Sequence, residues 1–132
     1  MRPAVEEILR WSSPVAYFAR RATCDVEIRG ARIAKGQRVT FWYPSANRDE
    51  EVFEEPFRFD IGRSPNPHVA FGGGGVHFCL GANLARREIT ILFEELLART
   101  REIEVLAPPR YAALGLWNPV LVVPKEIQVR IA

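Results

Sequence analysis

The sequence predicts an α+β fold in which two helices flank short strands and one long irregular segment. The first helix is expected over residues 3–11, because apolar residues recur three and four positions apart and Pro3 suits a first turn. The second is expected over residues 81–100, where the same spacing recurs. Its apolar stripe, predicted to be buried, consists of Ala85, Ile89, Leu92 and Leu96.

Short strands are predicted after the first helix by β-branched and aromatic residues that lie between turn signals. Gly30 marks a hairpin turn, and Lys35-Gly36 marks a second turn. The predicted strands cover residues 15–22, 25–29 and 38–43. A small sheet is therefore expected in the first third of the chain.

Residues 44–70 predict a long segment without regular structure, because they are rich in Pro, Asn, Asp and Arg. The expected aromatic anchors of this segment are Phe53, Phe57 and Phe59. After the second helix, Pro108-Pro109 marks a break. Residues 120–123 and 127–131 are predicted to form a terminal hairpin.

The composition is that of one ordinary globular domain. Of the 132 residues, 48% are apolar and 26% are charged, and 18 basic against 16 acidic residues leave a net charge of +2. This even balance argues against a nucleic-acid partner, and no run of about 18 apolar residues predicts a membrane span. Two cysteines are too few for a disulfide framework and favour a reducing compartment, so a cytoplasmic location is expected.

The most informative segment is the glycine-rich loop from Phe71 to Gly81, which holds Cys79 and leads directly into the second predicted helix. A cysteine just before a helix meets unpaired backbone N–H groups and the positive end of the helix dipole, and both favour the thiolate form. A thiolate with no second cysteine nearby is a candidate axial ligand of haem iron.

Other kinds of glycine-rich site fit this loop less well. It lacks the Gly-Lys-Ser or Gly-Lys-Thr ending of a phosphate loop, and no second strand follows as in a dinucleotide site. A zinc site would have to combine Cys24, His68, His77 and Cys79, whose spacing matches no common zinc pattern. Two alternatives stay open: a surface loop with an ordinary cysteine, and a cysteine nucleophile paired with His77.

These residues resemble the cysteine loop of the cytochrome P450 family, the haem-thiolate monooxygenases. Gly75, His77, Cys79 and Gly81 match the family pattern, whereas Phe71 lies eight residues before Cys79 and seven is usual. The loop is therefore one residue longer. A similar long, glycine-rich version occurs in bacterial members that resemble sterol- and branched-lipid hydroxylases.

Three further segments resemble family motifs in the same order. Glu7 and Arg10 match the Glu-x-x-Arg of the K helix, residues 53–63 match the meander, and residues 82–88 match the start of the L helix. The resemblance implies that Arg63 completes an ion network with Glu7 and Arg10. It covers residues 3–124 and implies the K helix, small sheet, meander, cysteine loop, L helix and C-terminal hairpin of a mainly-α fold.

The resemblance also implies roles for the loop residues. Cys79 would ligate the iron of haem b, and His77 would contact a haem propionate. Arg20 would contact a propionate from its strand, with Arg21 as its rival because neighbouring strand residues point to opposite faces. Phe71 would lie beside the cofactor. Gly75 would let the loop turn, and Gly81 would let the backbone pass close beneath the macrocycle.

The implied activity is hydroxylation of a small lipophilic substrate, such as a sterol or methyl-branched chain, by a bacterial enzyme. A ferredoxin or flavoprotein reductase would donate electrons, and Arg86 and Arg87 are candidate docking residues. Residues 1–132 would form the C-terminal, haem-ligating part of one domain whose N-terminal two-thirds are absent. The alternatives are a truncated remnant that has no catalysis of its own and binds haem weakly or not at all, and a cysteine-dependent hydrolase or redox protein. The isolated chain is expected to oligomerise or to be poorly soluble.

Overall fold

The computed structural model describes residues 1–111 and 124–132 of the chain. The helices and strands follow in the order α1 (Arg2–Ser12), β1 (Tyr17–Arg21), β2 (Val26–Ile28), β3 (Ala31–Ile33), β4 (Arg38–Trp42), α2 (Tyr43–Ala46), α3 (Ala82–Arg99), β5 (Ile103–Val105), β6 (Arg110–Tyr111), β7 (Pro124–Glu126) and β8 (Val129–Ile131). Both predicted helices and the predicted early strands are present, with boundaries shifted by at most two residues.

The first helix begins and ends as its sequence predicts. Pro3 lies in the first turn, where its missing N–H removes no hydrogen bond. At the other end Ser13 adopts a left-handed conformation with φ of 38°, and its N–H donates to the Leu9 carbonyl at 3.1 Å. The apolar face of α1 places Val5 and Leu9 in a small core with Ala70, against which Ile89 of α3 packs.

The strands form four separate antiparallel pairs. In the first third of the chain, β1 pairs with β4 and β2 pairs with β3. The third predicted strand ends at Trp42 instead of residue 43, because Tyr43 begins α2 and Pro44 suits its first turn. The small sheet therefore ends directly at the irregular segment.

The strands at the end of the chain pair with strands that follow α3. Strand β8 pairs with β5, and β7 pairs with β6, while the predicted hairpin of residues 120–123 with 127–131 stays a prediction. The β5–β8 ladder continues past both strands, because Ala132 exchanges hydrogen bonds with Glu102 and Leu106 N–H donates to Gln128. Residues 120–123 lie outside the described residues.

Two predictions of burial also differ from the structure. Of the three expected aromatic anchors only Phe53 is buried, whereas Phe57 is 68% exposed and Phe59 meets the edge of Trp11. In the α3 stripe, Ala85 and Ile89 are half-buried where α1 crosses, but Leu92 is 60% exposed. Hydrogen bonds to buried side chains, rather than aromatic packing, hold the irregular segment. None of the helices in residues 1–111 and 124–132 is long and apolar enough to cross a bilayer.

Candidate functional site

The glycine-rich loop closes on itself at the base of α3. The Cys79 N–H donates to the Phe71 carbonyl at 3.0 Å, which joins the two ends of the loop. Within it, Gly72 and Gly75 have φ of +95° and +77°, values that residues with a Cβ rarely adopt. The glycines therefore allow the chain to turn twice and bring Cys79 back beside Phe71.

Cys79 lies just before a helix N-terminus that has no competing anion. Helix α3 begins at Ala82, its N-cap Gly81 offers no side chain, and its first turn holds no acidic residue. The positive end of the helix dipole is therefore available to a thiolate next to it. A Cβ added to Gly81 would meet the Cys79 sulfur at 3.9 Å, an ordinary contact, so the need for glycine there stays a prediction.

One cavity gathers the residues predicted to hold a cofactor. Its volume is about 540 Å³, and its lining combines the Cys79 sulfur, two basic side chains and apolar groups. The lining residues are Pro14, Val15, Phe18, Arg20, Tyr43, Ala70, Phe71, His77 and Cys79. A thiol for iron, an arginine and a histidine as hydrogen-bond donors for two carboxylates, and apolar walls for a macrocycle are the chemical set that haem requires, so the residues fit this group. Gly75 and Gly81 do not line the cavity but shape the loop.

Strand geometry separates Arg20 from its rival. In the β1–β4 pair Arg20 lies opposite Val39, and Arg20 lines the cavity with Cys79 and His77. The next residue, Arg21, donates from Nη1 to the Gly36 carbonyl at 3.0 Å. Only Arg20 shares the cavity with the cysteine, as the alternation of side chains along a strand requires.

Three charged residues of α1 and the irregular segment form a buried ion network. Arg10 Nε and Nη2 donate to the two Glu7 carboxylate oxygens at 2.8 and 2.7 Å, and both side chains are fully buried. Arg63 Nε lies 3.2 Å from Glu7 Oε2. Arg10 also donates to backbone carbonyl oxygens of the irregular segment, which are those of Asn47, Pro56 and Arg58. The network thus ties α1 to the segment that leads to the cysteine loop.

The environment of Glu7 keeps its carboxylate ionised. Burial alone would raise its pKa, but hydrogen bonds from Arg10 and the Asp60 N–H, together with the charges of Arg10 and Arg63, outweigh burial. The pKa of Glu7 falls from 4.5 to about 2. Asn66 adds a further hydrogen bond from Nδ2 at 3.0 Å.

Sequence reasoning missed a buried amide beside this network. Asn47 is fully buried, donates from Nδ2 to Ser13 Oγ at 2.8 Å and accepts the Val69 N–H at 2.8 Å. It therefore connects the end of α1 with the chain just before Phe71. An asparagine in a polar segment resembles any turn residue, so no signal in one sequence distinguishes it.

The sequence also did not predict a second cluster, which consists of Glu6, Arg86 and His68. The sequence suggested Arg86 as a docking residue and His68 only as part of a zinc site. Arg86 instead forms a two-point ion pair with Glu6, and His68 contacts the same carboxylate. Within residues 1–111 and 124–132 no group of three metal-ligating side chains occurs.

Comparison with known proteins places this architecture in one family. The model of the family described as Cytochrome P450 matches residues 1–109. The chain is 56% identical over 106 residues to a methyl-branched lipid omega-hydroxylase of Mycobacterium tuberculosis, covering 80% of this chain and 25% of that protein. It is 50% identical over 115 residues to a steroid C26-monooxygenase of Mycolicibacterium smegmatis, covering 87% and 27%.

Solved structures agree with the sequence relatives. A Mycobacterium marinum cytochrome P450, CYP268A2 in complex with pseudoionone, superposes with a TM-score of 0.87 at 43% identity over 96% of this chain and 30% of that one. CYP109E1 from Bacillus megaterium in complex with testosterone gives 0.87 at 38% identity over 97% and 35%. The chain spans about a quarter of the length of the curated relatives it matches. The resemblance seen in the sequence is confirmed, and the chain belongs to the cytochrome P450 family.

Proposed function

We propose that this chain forms the haem-ligating, C-terminal part of a monooxygenase that hydroxylates a lipophilic substrate. The observation that carries the proposal is one cavity whose lining unites Cys79 with Arg20 and His77 among apolar residues. The family membership supports the same conclusion.

Each residue of the cavity has a role in this proposal. Cys79 binds the iron as a thiolate, stabilised by the adjacent start of α3. Arg20 holds a propionate carboxylate with its planar, permanently charged guanidinium, and His77 donates a hydrogen bond to the second. Phe71 and Ala70 cover the apolar surface of the macrocycle and exclude water from it. Gly75 and Gly81 keep the loop in the conformation that presents Cys79.

Haem held by a thiolate activates O₂, because the sulfur pushes electron density toward O–O cleavage. In the overall reaction one oxygen atom enters a C–H bond of the substrate and the other leaves as water. Two electrons and two protons are supplied from outside, with a ferredoxin or a flavoprotein reductase as the electron donor. Arg87 is exposed and suits an acidic donor, whereas Arg86 is engaged by Glu6.

The proposed substrates are sterols or methyl-branched lipids. Two relatives bear the names methyl-branched lipid omega-hydroxylase and steroid C26-monooxygenase. The cavity agrees with an apolar substrate, because Pro14, Val15 and Phe18 line it without adding a charge. We propose that these residues border the space where substrate meets the cofactor.

A second proposal concerns the chain by itself. Large apolar side chains on α3 are exposed, including Leu84, Leu92 and Leu97, each at 60% or more. Such surface is costly in water unless another element covers it. We therefore propose that residues 1–132 alone bind haem weakly and have no independent catalysis, and that they associate with further chains in solution.

The test is an absorption spectrum of the haem-supplemented chain, reduced under carbon monoxide. Thiolate ligation produces a strongly red-shifted Soret band, and Cys79→Ser should remove it. Cys24→Ser is the matched control, because Cys24 is likewise a free, exposed cysteine but lies outside the cavity. Loss of the band in Cys24→Ser, or its persistence in Cys79→Ser, would contradict the assignment of Cys79.

A further inference from the structure

The carboxylate of Glu6 binds two side chains, one that precedes the cysteine loop in the chain and one that follows it. Arg86 of α3 donates from Nε to Oε1 at 2.8 Å and from Nη2 to Oε2 at 3.0 Å. His68, whose side chain is 2% exposed, places Nε2 2.9 Å from Oε2. Burial raises the pKa of Glu6, but the hydrogen bonds and charges of Arg86 and His68 outweigh it and lower the pKa below its ordinary value.

Both partners of Glu6 also contact residues at the base of the cysteine loop. The Arg86 guanidinium carbon lies 4.7 Å from the centre of the Phe71 ring, a cation–π distance. The Phe71 carbonyl is the acceptor of the Cys79 N–H. On the other side, His68 Nδ1 accepts the Ala70 N–H at 3.2 Å, so a neutral His68 carries its proton on Nε2 and donates to Glu6.

We propose that Glu6, Arg86 and His68 form a positioning cluster that fixes the iron-ligating sulfur of Cys79 through Phe71. The inference rests on the proposed function of Cys79. It adds three residues that do not line the cofactor cavity and that are separate from the Glu7–Arg10–Arg63 network. They act on the sulfur only through the residues they hold.

The geometry explains how the single carboxylate of Glu6 can position Phe71 and Cys79. Glu6 is fixed on α1, Arg86 lies seven residues after Cys79, and Phe71 lies at the other end of the loop. A two-point ion pair sets both the position and the plane of the guanidinium. Its contact with the Phe71 ring in turn holds Phe71, whose carbonyl accepts the Cys79 N–H. A lysine at position 86 would keep the charge but lose the second donor and the flat surface over the ring.

The test uses the haem-loaded protein and compares Glu6→Gln, Arg86→Met and Arg86→Lys. We expect all three to lose part of the thiolate Soret band of the reduced carbon monoxide complex in favour of the thiol form. We also expect haem affinity to fall about 10-fold, the lower end of the loss seen when outer-shell partners of a metal ligand are removed. The double variant Glu6→Gln with Arg86→Lys should lose no more of the thiolate band and of the haem affinity than the more affected single variant. Both substitutions disrupt the same contact, so their effects should not add.

The matched control is Arg99→Met on the same helix. Arg99 also pairs with a glutamate, Glu95 at 2.6 Å, but both side chains are more than half exposed and neither lines the cavity. This control should keep the wild-type spectrum and haem affinity. Arg86→Lys keeps the charge and most of the volume, so it still provides the test if Arg86→Met does not fold.

The outcomes separate this inference from the proposed function. A wild-type protein that binds haem but shows no thiolate band overturns both. A wild-type protein that shows the band, with variants that keep its position and the haem affinity and only melt at lower temperature, overturns the positioning cluster alone. Equal spectral loss in Arg99→Met overturns it as well, because the effect would then not depend on the contact with Phe71.

Discussion

Replacing Arg10 by methionine should be among the most damaging single changes in this chain. The substitution removes five hydrogen bonds, two to the Glu7 carboxylate and three to backbone carbonyls of the irregular segment. It leaves the Glu7 carboxylate fully buried, with Arg63 at 3.2 Å as its remaining cation. Breaking a buried ion pair in this way costs about 3–5 kcal/mol, and we expect a loss in that range.

The assay is urea-induced unfolding of the haem-loaded protein, which gives the free energy of unfolding. Arg58→Met is the matched control, because Arg58 pairs with Glu55 at 2.8 Å on the surface, where both side chains are more than half exposed. Such a pair contributes at most about 1 kcal/mol. Adding Glu7→Gln to Arg10→Met should recover part of the loss, since it removes the uncompensated charge.

The reasoning would be refuted if Arg10→Met lowered the free energy of unfolding no more than Arg58→Met does. The burial of the ion pair would then be irrelevant to stability. A failure of Glu7→Gln to recover any stability would instead show that the loss comes from the missing hydrogen bonds to backbone carbonyls and not from the unpaired charge of Glu7. Measuring both variants therefore separates the two contributions.

Three further changes should have smaller or conditional effects. The pKa of Glu7 is 4.5 in its ordinary state and about 2 in the folded protein. Its contribution to the free energy of unfolding is therefore complete above pH 4.5, and urea titrations should show that contribution decreasing as the pH falls toward 2. Gly75→Ala should lower stability by about 1 kcal/mol, since φ is +77°, whereas Gly73→Ala, with open space and no positive φ, should change the melting temperature little. Asn47→Ala should cost about 2 kcal/mol in calorimetry, because the Val69 N–H loses its buried acceptor; an unchanged melting temperature would contradict this.

The sequence predicted those parts of the fold that depend on local patterns. Proline in the first turn and apolar spacing located α1, and a similar stripe located α3 within one residue at each end. The cysteine loop was recognisable because glycine, histidine and cysteine occur there at fixed offsets. The cofactor roles of Cys79, Arg20 and His77 stay predictions, although one cavity contains all three residues.

What the sequence could not predict depends on distant partners. The pairing of β8 with β5 joins residues 24 or more positions apart, and nothing in a three-residue strand specifies so remote a neighbour. Likewise, Asn47 and His68 gain their importance from burial against α1, which a polar segment does not signal. In the α3 stripe the predicted burial of Leu92 failed for a related reason, because burial requires a second surface and α1 packs against only one part of that helix.

Glu6 and Glu7 are neighbours on α1, yet each serves a different cluster. Consecutive residues of a helix point about 100° apart, so one turn of α1 reaches the irregular segment on one side and the start of α3 on another. The three regions should therefore open as one cooperative unit rather than fray independently. Amide protons of Asp60, Val69 and Cys79, each bonded to a different acceptor, should exchange with solvent at a common rate set by that single event.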